Sequence, residues 1–282
     1  MKSNYRYIVK AFMAMAVIAG TTSCDDFLDR EPMSSISPET YYSTAAQLEA
    51  NLNDEYPNVL PSFGQWTYGI FGEDKGTDNQ IEVNANDRYT QDRWKVPHSE
   101  SDNWKFERIY RINFFLSEAL PKFGEDMIGS QNTISGSVAT IKHYIGEMYF
   151  LRAYEYFKKL QLFGDFPIIN QPLADEMEAL REASKRFPRN EVARFIISDL
   201  DKAYAYMSDV DMATTRINKD AAMLVKSRVA LFEATWLQNF KGTAFVPGGE
   251  GWPGASLHNN YQYPSGNIDN EVKYFLEQAG ED

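Results

Sequence analysis

Apolar residues recur every three or four positions through much of the chain, which is the spacing of amphipathic helices. The pattern predicts helices over residues 44–57, 104–120, 134–163, 190–207 and 218–236, with another beginning near Asn267. No segment alternates apolar and polar residues over the length of a strand. The fold is therefore predicted to be mainly α-helical.

Residues typical of helix ends flank these segments. Thr44 and Gln47 have the spacing of a capping box. Pro57 and Pro121 are predicted to stop the first two helices, and Gly164 is predicted to end the long third one with a left-handed turn. The starts of the next two helices are assigned to good capping residues, Asn190 and Asn218.

The helix predicted over residues 134–163 is apolar on more than one side, so we expect it to be buried from more than one direction. Small residues on it, Gly146 and Ala153, leave room for a neighbouring helix, as do Ala222 and Ala230 on a later one. Helices joined by loops pack as antiparallel pairs. The predicted architecture is a series of tetratricopeptide-like helical pairs with long irregular loops.

Residues 58–100 interrupt the helical pattern with a stretch rich in Gly, Asp, Asn and aromatic residues. Irregular segments of this length are uncommon in compact domains and often carry function. Aromatic faces stack on the C–H groups of sugars, and amides bond to their hydroxyls. This segment is therefore the candidate ligand loop, although its aromatic residues have the alternative use of packing the loop onto the helices.

The first 23 residues have the layout of a secretion signal. Lys2, Arg6 and Lys10 precede an apolar stretch, Ala11 to Gly20, which is too short to span a bilayer. Small residues then lead to Cys24, the single cysteine of the chain. Bacterial lipoprotein signals are cut before such a cysteine, which is then acylated. The alternative is an ordinary soluble secreted protein.

Residues 24–35 read as an acidic tether, and residues 36–282 as the helical domain. The whole chain has a formal net charge of −12, which becomes −15 once residues 1–23, with three basic and no acidic residues, are removed. A protein this acidic is a poor candidate for binding nucleic acid or anionic lipid.

Catalytic signatures are weak. Residues 249–254 (GEGWPG) match a dinucleotide-binding motif by letter, but no strand precedes them and Pro253 opposes entry into a helix. His143 and Glu147 lie one helical turn apart, but a pair without a third ligand is a weak metal site. We therefore expect neither an enzyme nor a cofactor. Polar residues within the apolar helices are interpreted as structural, namely Glu147, Arg152, Arg228 and Glu233.

Several motifs resemble the SusD/RagB family of surface lipoproteins. They are Cys24–Asp29 followed by Pro32, residues 110–113 (YRIN), 146–157 (GEMYFLRAYEYF), 162–169 (LFGDFPII), 197–203 (ISDLDKA) and 216–233. The spacing in the YRIN stretch is shortened, and Thr21 replaces the usual aliphatic residue of a lipoprotein signal. The likeness covers residues 20–280 in the family's order.

The resemblance implies a lipid-anchored protein on the outer face of the outer membrane. It would bind an oligosaccharide and deliver it to a partner TonB-dependent, SusC-like transporter. The rivals are an oligopeptide-binding member of the family and a lipid-anchored scaffold without a small ligand. Family members are nearly twice as long, so we expect this chain to be an N-terminal part. The expected site residues are Cys24 for lipidation and Trp66, Asn79, Tyr89 and Trp94 for the ligand.

Overall fold

The computed structural model describes residues 41–61, 79–80, 103–124, 126–208, 212–213 and 215–280. A compact unit begins at Tyr42. Its helices are α1 (Ala45–Val59), α2 (Glu107–Phe123), α3 (Val138–Phe163), α4 (Met177–Ala183), α5 (Arg189–Tyr206), α6 (Lys219–Asn239) and α7 (Ile268–Gly280). Isolated β-bridges join Thr44 to Ser135 and Phe166 to Phe187, and the described residues form no longer strand. The predicted mainly α-helical class is confirmed.

The helices pack as a row of neighbours. Helices α1 and α2 lie against α3, α3 against α5, α5 against α6, and α6 against α7. Each helix therefore buries its apolar face mainly on the helices beside it, as in helical-repeat proteins. The predicted burial of α3 from more than one direction is confirmed, since hydrophobic residues on several of its sides are buried.

Two helix starts agree with the sequence pattern. The Thr44 hydroxyl accepts a hydrogen bond from the backbone N–H of Gln47, and the Gln47 side chain accepts one from that of Thr44. Asn218 caps α6 by accepting from the N–H of Ala221 at 2.9 Å.

The prolines do not end their helices where the sequence predicted. Helices α1 and α2 each continue two residues past Pro57 and Pro121, to Val59 and Phe123. Both terminal residues are buried. Their apolar contacts outweigh the hydrogen bond that a proline removes near the end of a helix.

Other predicted starts were also misplaced. Helix α2 begins at Glu107 and α3 at Val138, where Ser137 is the capping residue. Asn190 was predicted to cap α5, but the capping position is occupied by Pro188 and the helix begins at Arg189. The Asn190 side chain is buried and donates a hydrogen bond to Glu271 at 3.0 Å. Its amide therefore makes a tertiary contact instead of capping the helix.

A close approach of backbones joins α3 to α5 at Gly146. A methyl group at this position would come within 2.8 Å of the Met207 nitrogen and 2.9 Å of the Ala203 oxygen. The small residue is therefore required by packing, as its place in the helix predicted.

The buried polar groups of α3 have partners, as expected for structural residues. Arg216 holds both oxygens of Glu147 at 2.8 and 2.6 Å, and the Tyr56 hydroxyl donates to the same carboxylate at 2.7 Å. Arg152 binds Asp199 in a buried pair. Arg228, predicted to be similar, is instead exposed on α6.

Two adjacent lysines on α3 hold backbone carbonyls on either side of the interval between α1 and α2. Lys158 donates to the Val59 oxygen at 2.9 Å and Lys159 to the Asn103 oxygen at 2.7 Å. The carboxylate of Glu155 lies between the two ammonium groups, at 2.5 and 3.4 Å. The end of α1 and the chain entering α2 are thus tied to one turn of α3.

Candidate functional site

The turn after α3 forms one wall of a cleft. Helix α3 ends at Phe163, and Gly164 adopts a positive φ of +67°, so the predicted glycine stop is confirmed. Asp165 follows, and its Oδ1 accepts a hydrogen bond from the backbone N–H of Arg189 at 2.9 Å. The turn is thereby fixed to the start of α5.

The loop after α6 forms the opposite wall. Trp252 is only 5% exposed, and its indole N–H donates to Asp165 Oδ2 at 2.7 Å. Gly254 lies directly beneath the ring, where a methyl group would overlap the indole. His258 Nε2 lies 2.7 Å from the carbonyl oxygen of Arg186. These contacts dock the loop against the turn after α3.

Between the two walls lies a cavity of about 460 Å³, which we call the aromatic cleft. Its size is within the usual range for a small-molecule site. It combines aromatic, aliphatic and charged side chains, and the lining includes Leu160, Gln161, Leu162, Phe163, Gly164, Asp165, Arg186, Arg189, Trp236, Phe245, Trp252, Pro253, Gly254 and Leu257. Phe245 is 61% exposed, so much of its ring is open to a ligand.

Arg189 is a rigid part of the lining. Its Nε and Nη2 bind the carboxylate of Glu233, with the shortest distance 2.8 Å, and its guanidinium lies 4.1 Å from the centre of the Trp236 ring. Burial raises the pKa of Glu233, while the charge of Arg189 opposes that rise. The ion pair with Glu233 thus holds the Arg189 guanidinium against the Trp236 ring in the absence of a ligand.

A second cavity, of about 330 Å³, lies between α2 and α4 and is lined mostly by apolar residues such as Phe106, Ile109 and Leu180. No arginine or lysine lines it in the described part of the chain. The aromatic cleft is the better candidate because it pairs an exposed ring with fixed polar groups.

The aromatic cleft was missed by the sequence reasoning. Cys24, Trp66, Tyr89 and Trp94 lie outside the described residues, and Asn79 is described as exposed. The residues of the cleft come from three distant stretches, 160–165, 186–189 and 236–257. The turn after α3, predicted only as the end of a helix, lines this cleft as well.

His143 and Glu147 take part in ordinary hydrogen bonding. His143 Nε2 lies 3.0 Å from both the Ile217 carbonyl and Glu147 Oε1, and its Nδ1 accepts from the N–H of Ser208. The imidazole is therefore held between a donor and two acceptors. Across the described ranges, His, Cys, Asp and Glu side chains form no group of three suited to a metal ion.

Comparison with known proteins identifies the family. A SusD-like family model, described as starch-binding and associating with the outer membrane, matches residues 26–231, well over half of the chain. This chain belongs to the SusD-like family. The resemblance carried by the helical motifs is confirmed.

Individual relatives agree with that membership. SusD-like protein P25 of Formosa agariphila is 26% identical over 233 residues, covering 76% of this chain and 41% of that protein. SusD-like protein P2 of the same organism is 25% identical over 253 residues, covering 86% of this chain and 46% of that protein. The alignments therefore span less than half the length of either SusD-like relative.

A solved structure supports the fold. A SusD-like protein from Bacteroides fragilis superposes with a TM-score of 0.52 at 21% identity, covering 75% of this chain and 39% of that chain. The family is associated with the outer membrane. Within the described ranges, every helix is too short or too polar to cross a bilayer.

Proposed function

We propose that this SusD-like protein binds an oligosaccharide at the outer surface of the outer membrane. The observation that carries the proposal is the aromatic cleft, where the exposed ring of Phe245 stands beside fixed polar groups. Aromatic rings stack on sugar C–H faces, and neighbouring polar groups bond to hydroxyls. The family's description as starch-binding supports the same ligand class.

The proposed role is binding without catalysis. Glycoside hydrolases of the common kind need two carboxyl groups on either side of the scissile bond. Among the described residues lining the aromatic cleft, Asp165 supplies a single carboxylate. Both of its oxygens already accept hydrogen bonds, from Arg189 and Trp252. This arrangement favours a receptor over a hydrolase.

The remaining parts of the proposal come from the sequence. Acylation at Cys24 would anchor the protein to the membrane, and a TonB-dependent, SusC-like transporter would receive the sugar. Trp66, Asn79, Tyr89 and Trp94 remain candidates for additional ligand contacts. Labelling with a fatty-acid analogue, in cells making the natural protein or Cys24→Ala, tests the anchor, and equal labelling of both would contradict it.

The binding proposal is tested by measuring retention on polysaccharides and affinity for oligosaccharides by calorimetry. Phe245→Ala is expected to weaken binding about tenfold, because the stacking surface is lost. Tyr204→Ala is the matched control, since Tyr204 is an exposed aromatic residue outside the cleft lining. Thermal unfolding of both variants should match that of the natural protein.

The rival functions give different results in the same experiment. Retention of peptides but not sugars would favour an oligopeptide receptor. Failure to bind either ligand, together with co-purification of an envelope protein, would favour a scaffold. Release of shortened sugars from a glycan panel would show an enzyme and would overturn the non-catalytic role.

A further inference from the structure

The aromatic cleft contains two guanidinium groups in an acidic protein. Its charged lining in the described part of the chain consists of Arg186, Arg189 and Asp165, whereas the whole chain has a net charge of −12. The charge of Arg189 is paired with Glu233, whereas no ion pair with a described residue holds Arg186. The arrangement suggests that part of the ligand carries negative charge.

Arg189 presents one fixed nitrogen towards the cleft. Its side chain is 4% exposed, and its Nε and Nη2 are bound to Glu233. Nη1 makes no hydrogen bond with the described residues, and it is the nearest atom to the position where Gly164 would carry a side chain, at 3.5 Å. Since Gly164 has none, no side chain at this position of the turn covers the nitrogen.

Arg186 supplies a second guanidinium. It is exposed, and it lies 4.6 Å from the centre of the Trp104 ring. No ion pair joins it to an acidic residue among those described. An aromatic ring beneath a guanidinium restricts its orientation without using its N–H groups. Arg186 can therefore offer two parallel hydrogen bonds to an anion.

Asp165 is the acidic residue of the cleft's described lining. Burial raises its pKa, while hydrogen bonds from Trp252 and the Arg189 backbone, and the charges of Arg189 and Arg186, act in the other direction. Because Oδ1 and Oδ2 each accept one of these bonds, its charge is partly compensated within the protein. Arg189 Nη1 and the Arg186 guanidinium therefore remain as N–H donors that no described carboxylate of the cleft binds.

We propose that the aromatic cleft selects saccharides bearing a carboxylate or sulfate group, with Arg189 Nη1 and the Arg186 guanidinium binding that group while Phe245 stacks on a sugar ring. This inference rests on the proposed sugar-binding function and adds the ligand's charge to it. Arg186 acts here as a specificity residue, and Arg189 as the fixed partner that defines where the anionic group lies.

The test compares three probes by calorimetry on the full chain: an oligogalacturonate, a sulfated oligosaccharide and a neutral oligoglucan. Arg186→Gln is expected to weaken binding of an acidic probe about tenfold while changing the neutral one less than about twofold. Raising salt from about 50 to about 300 mM should weaken only the acidic probe. Arg181→Gln is the matched control, an exposed arginine on α4 outside the cleft lining.

A second variant guards against misfolding. Arg189→Lys keeps the positive charge beside Glu233 but removes Nη1, so acidic binding should fall even where thermal unfolding shows a folded protein. Comparison of the carboxylated and sulfated probes identifies which anion is preferred. Equal affinity for acidic and neutral probes, or equal losses for both in Arg186→Gln, would overturn the charge selectivity and leave sugar binding intact. Failure of every sugar to bind would overturn both proposals.

Discussion

Two buried arginine–carboxylate pairs, Arg152–Asp199 and Arg189–Glu233, show opposite uses of the same interaction. In each, a guanidinium holds a carboxylate through two nitrogens. Arg152 also donates through Nη1 to Asn113 Oδ1 and the Asn170 carbonyl, so all its nitrogens are bound. Arg189 leaves Nη1 without a partner among the described residues, beside the aromatic cleft.

The difference separates a closed structural pair from one with spare binding capacity. Arg152 lies between α2, α3 and α5, and its contacts serve to join them. Arg189 joins α5 to α6 with two nitrogens and keeps the third for the cleft. The two nitrogens bound to Glu233 fix the Arg189 side chain, and Nη1 is the nitrogen proposed to bind the ligand.

The largest expected effect comes from breaking the closed pair. Arg152→Leu would leave Asp199 charged and buried and would free two further acceptors, so the free energy of unfolding should fall by about 3–5 kcal/mol. Arg189→Leu should cost less, because the arginine serves a single carboxylate. Urea unfolding followed by circular dichroism measures both. A larger loss in Arg189→Leu would contradict the comparison.

A smaller effect is expected at the wall of the cleft. Trp252→Phe removes the indole N–H that binds Asp165 and should lower the free energy of unfolding by about 2 kcal/mol, since a hydrogen bond to a charged group is lost. The control is Trp236→Phe. The Trp236 indole N–H donates to the exposed carbonyl of Phe245, so its loss should cost less than about 1 kcal/mol. Similar losses in the two variants would show that the Trp252–Asp165 bond does not stabilise the wall.

The smallest effect concerns pH. Burial raises the pKa of Asp165 in the folded protein, so the folded state binds more protons than the unfolded one above about pH 4. The contribution of Asp165 to stability therefore declines as pH rises from there through its folded pKa. Asp165→Asn should remove that decline, so unfolding measured across the acidic range should show a less negative slope. Glu250→Gln, an exposed carboxyl in the loop after α6, is the control for charge loss, and identical slopes in Asp165→Asn and the natural protein would contradict the prediction.

The helices could be predicted from the sequence because most have a buried apolar stripe. The failures have local causes. Helix α4 was not predicted because none of its residues is buried, so it has no apolar period to detect. Asn190 was predicted to be a cap because its residue type favours that position. Its actual partners, Tyr261 and Glu271, lie 71 and 81 residues later, so no local pattern indicates them.

The aromatic cleft could not be predicted for the same reason. Its components, such as Asp165 and Trp252, lie 87 residues apart in the sequence and meet only once α3, α5 and α6 have packed. The residues themselves did contain a signal. Gly164-Asp165 after a long helix and Trp252-Pro253-Gly254 in a glycine-rich loop are both unusual local sequences, but nothing in their spacing indicates that one binds the other.

The two adjacent lysines on α3 affect how far the sequence between α1 and α2 can change. Lys158 and Lys159 bind the carbonyls of Val59 and Asn103 from adjacent positions on one helix, so the scaffold closes the interval between α1 and α2 itself. Once the two ends of an interval are held, doubling its length costs only about 0.6 kcal/mol of further chain entropy. Insertions, deletions and new sequences between these anchors are therefore expected to cost the helical framework little stability.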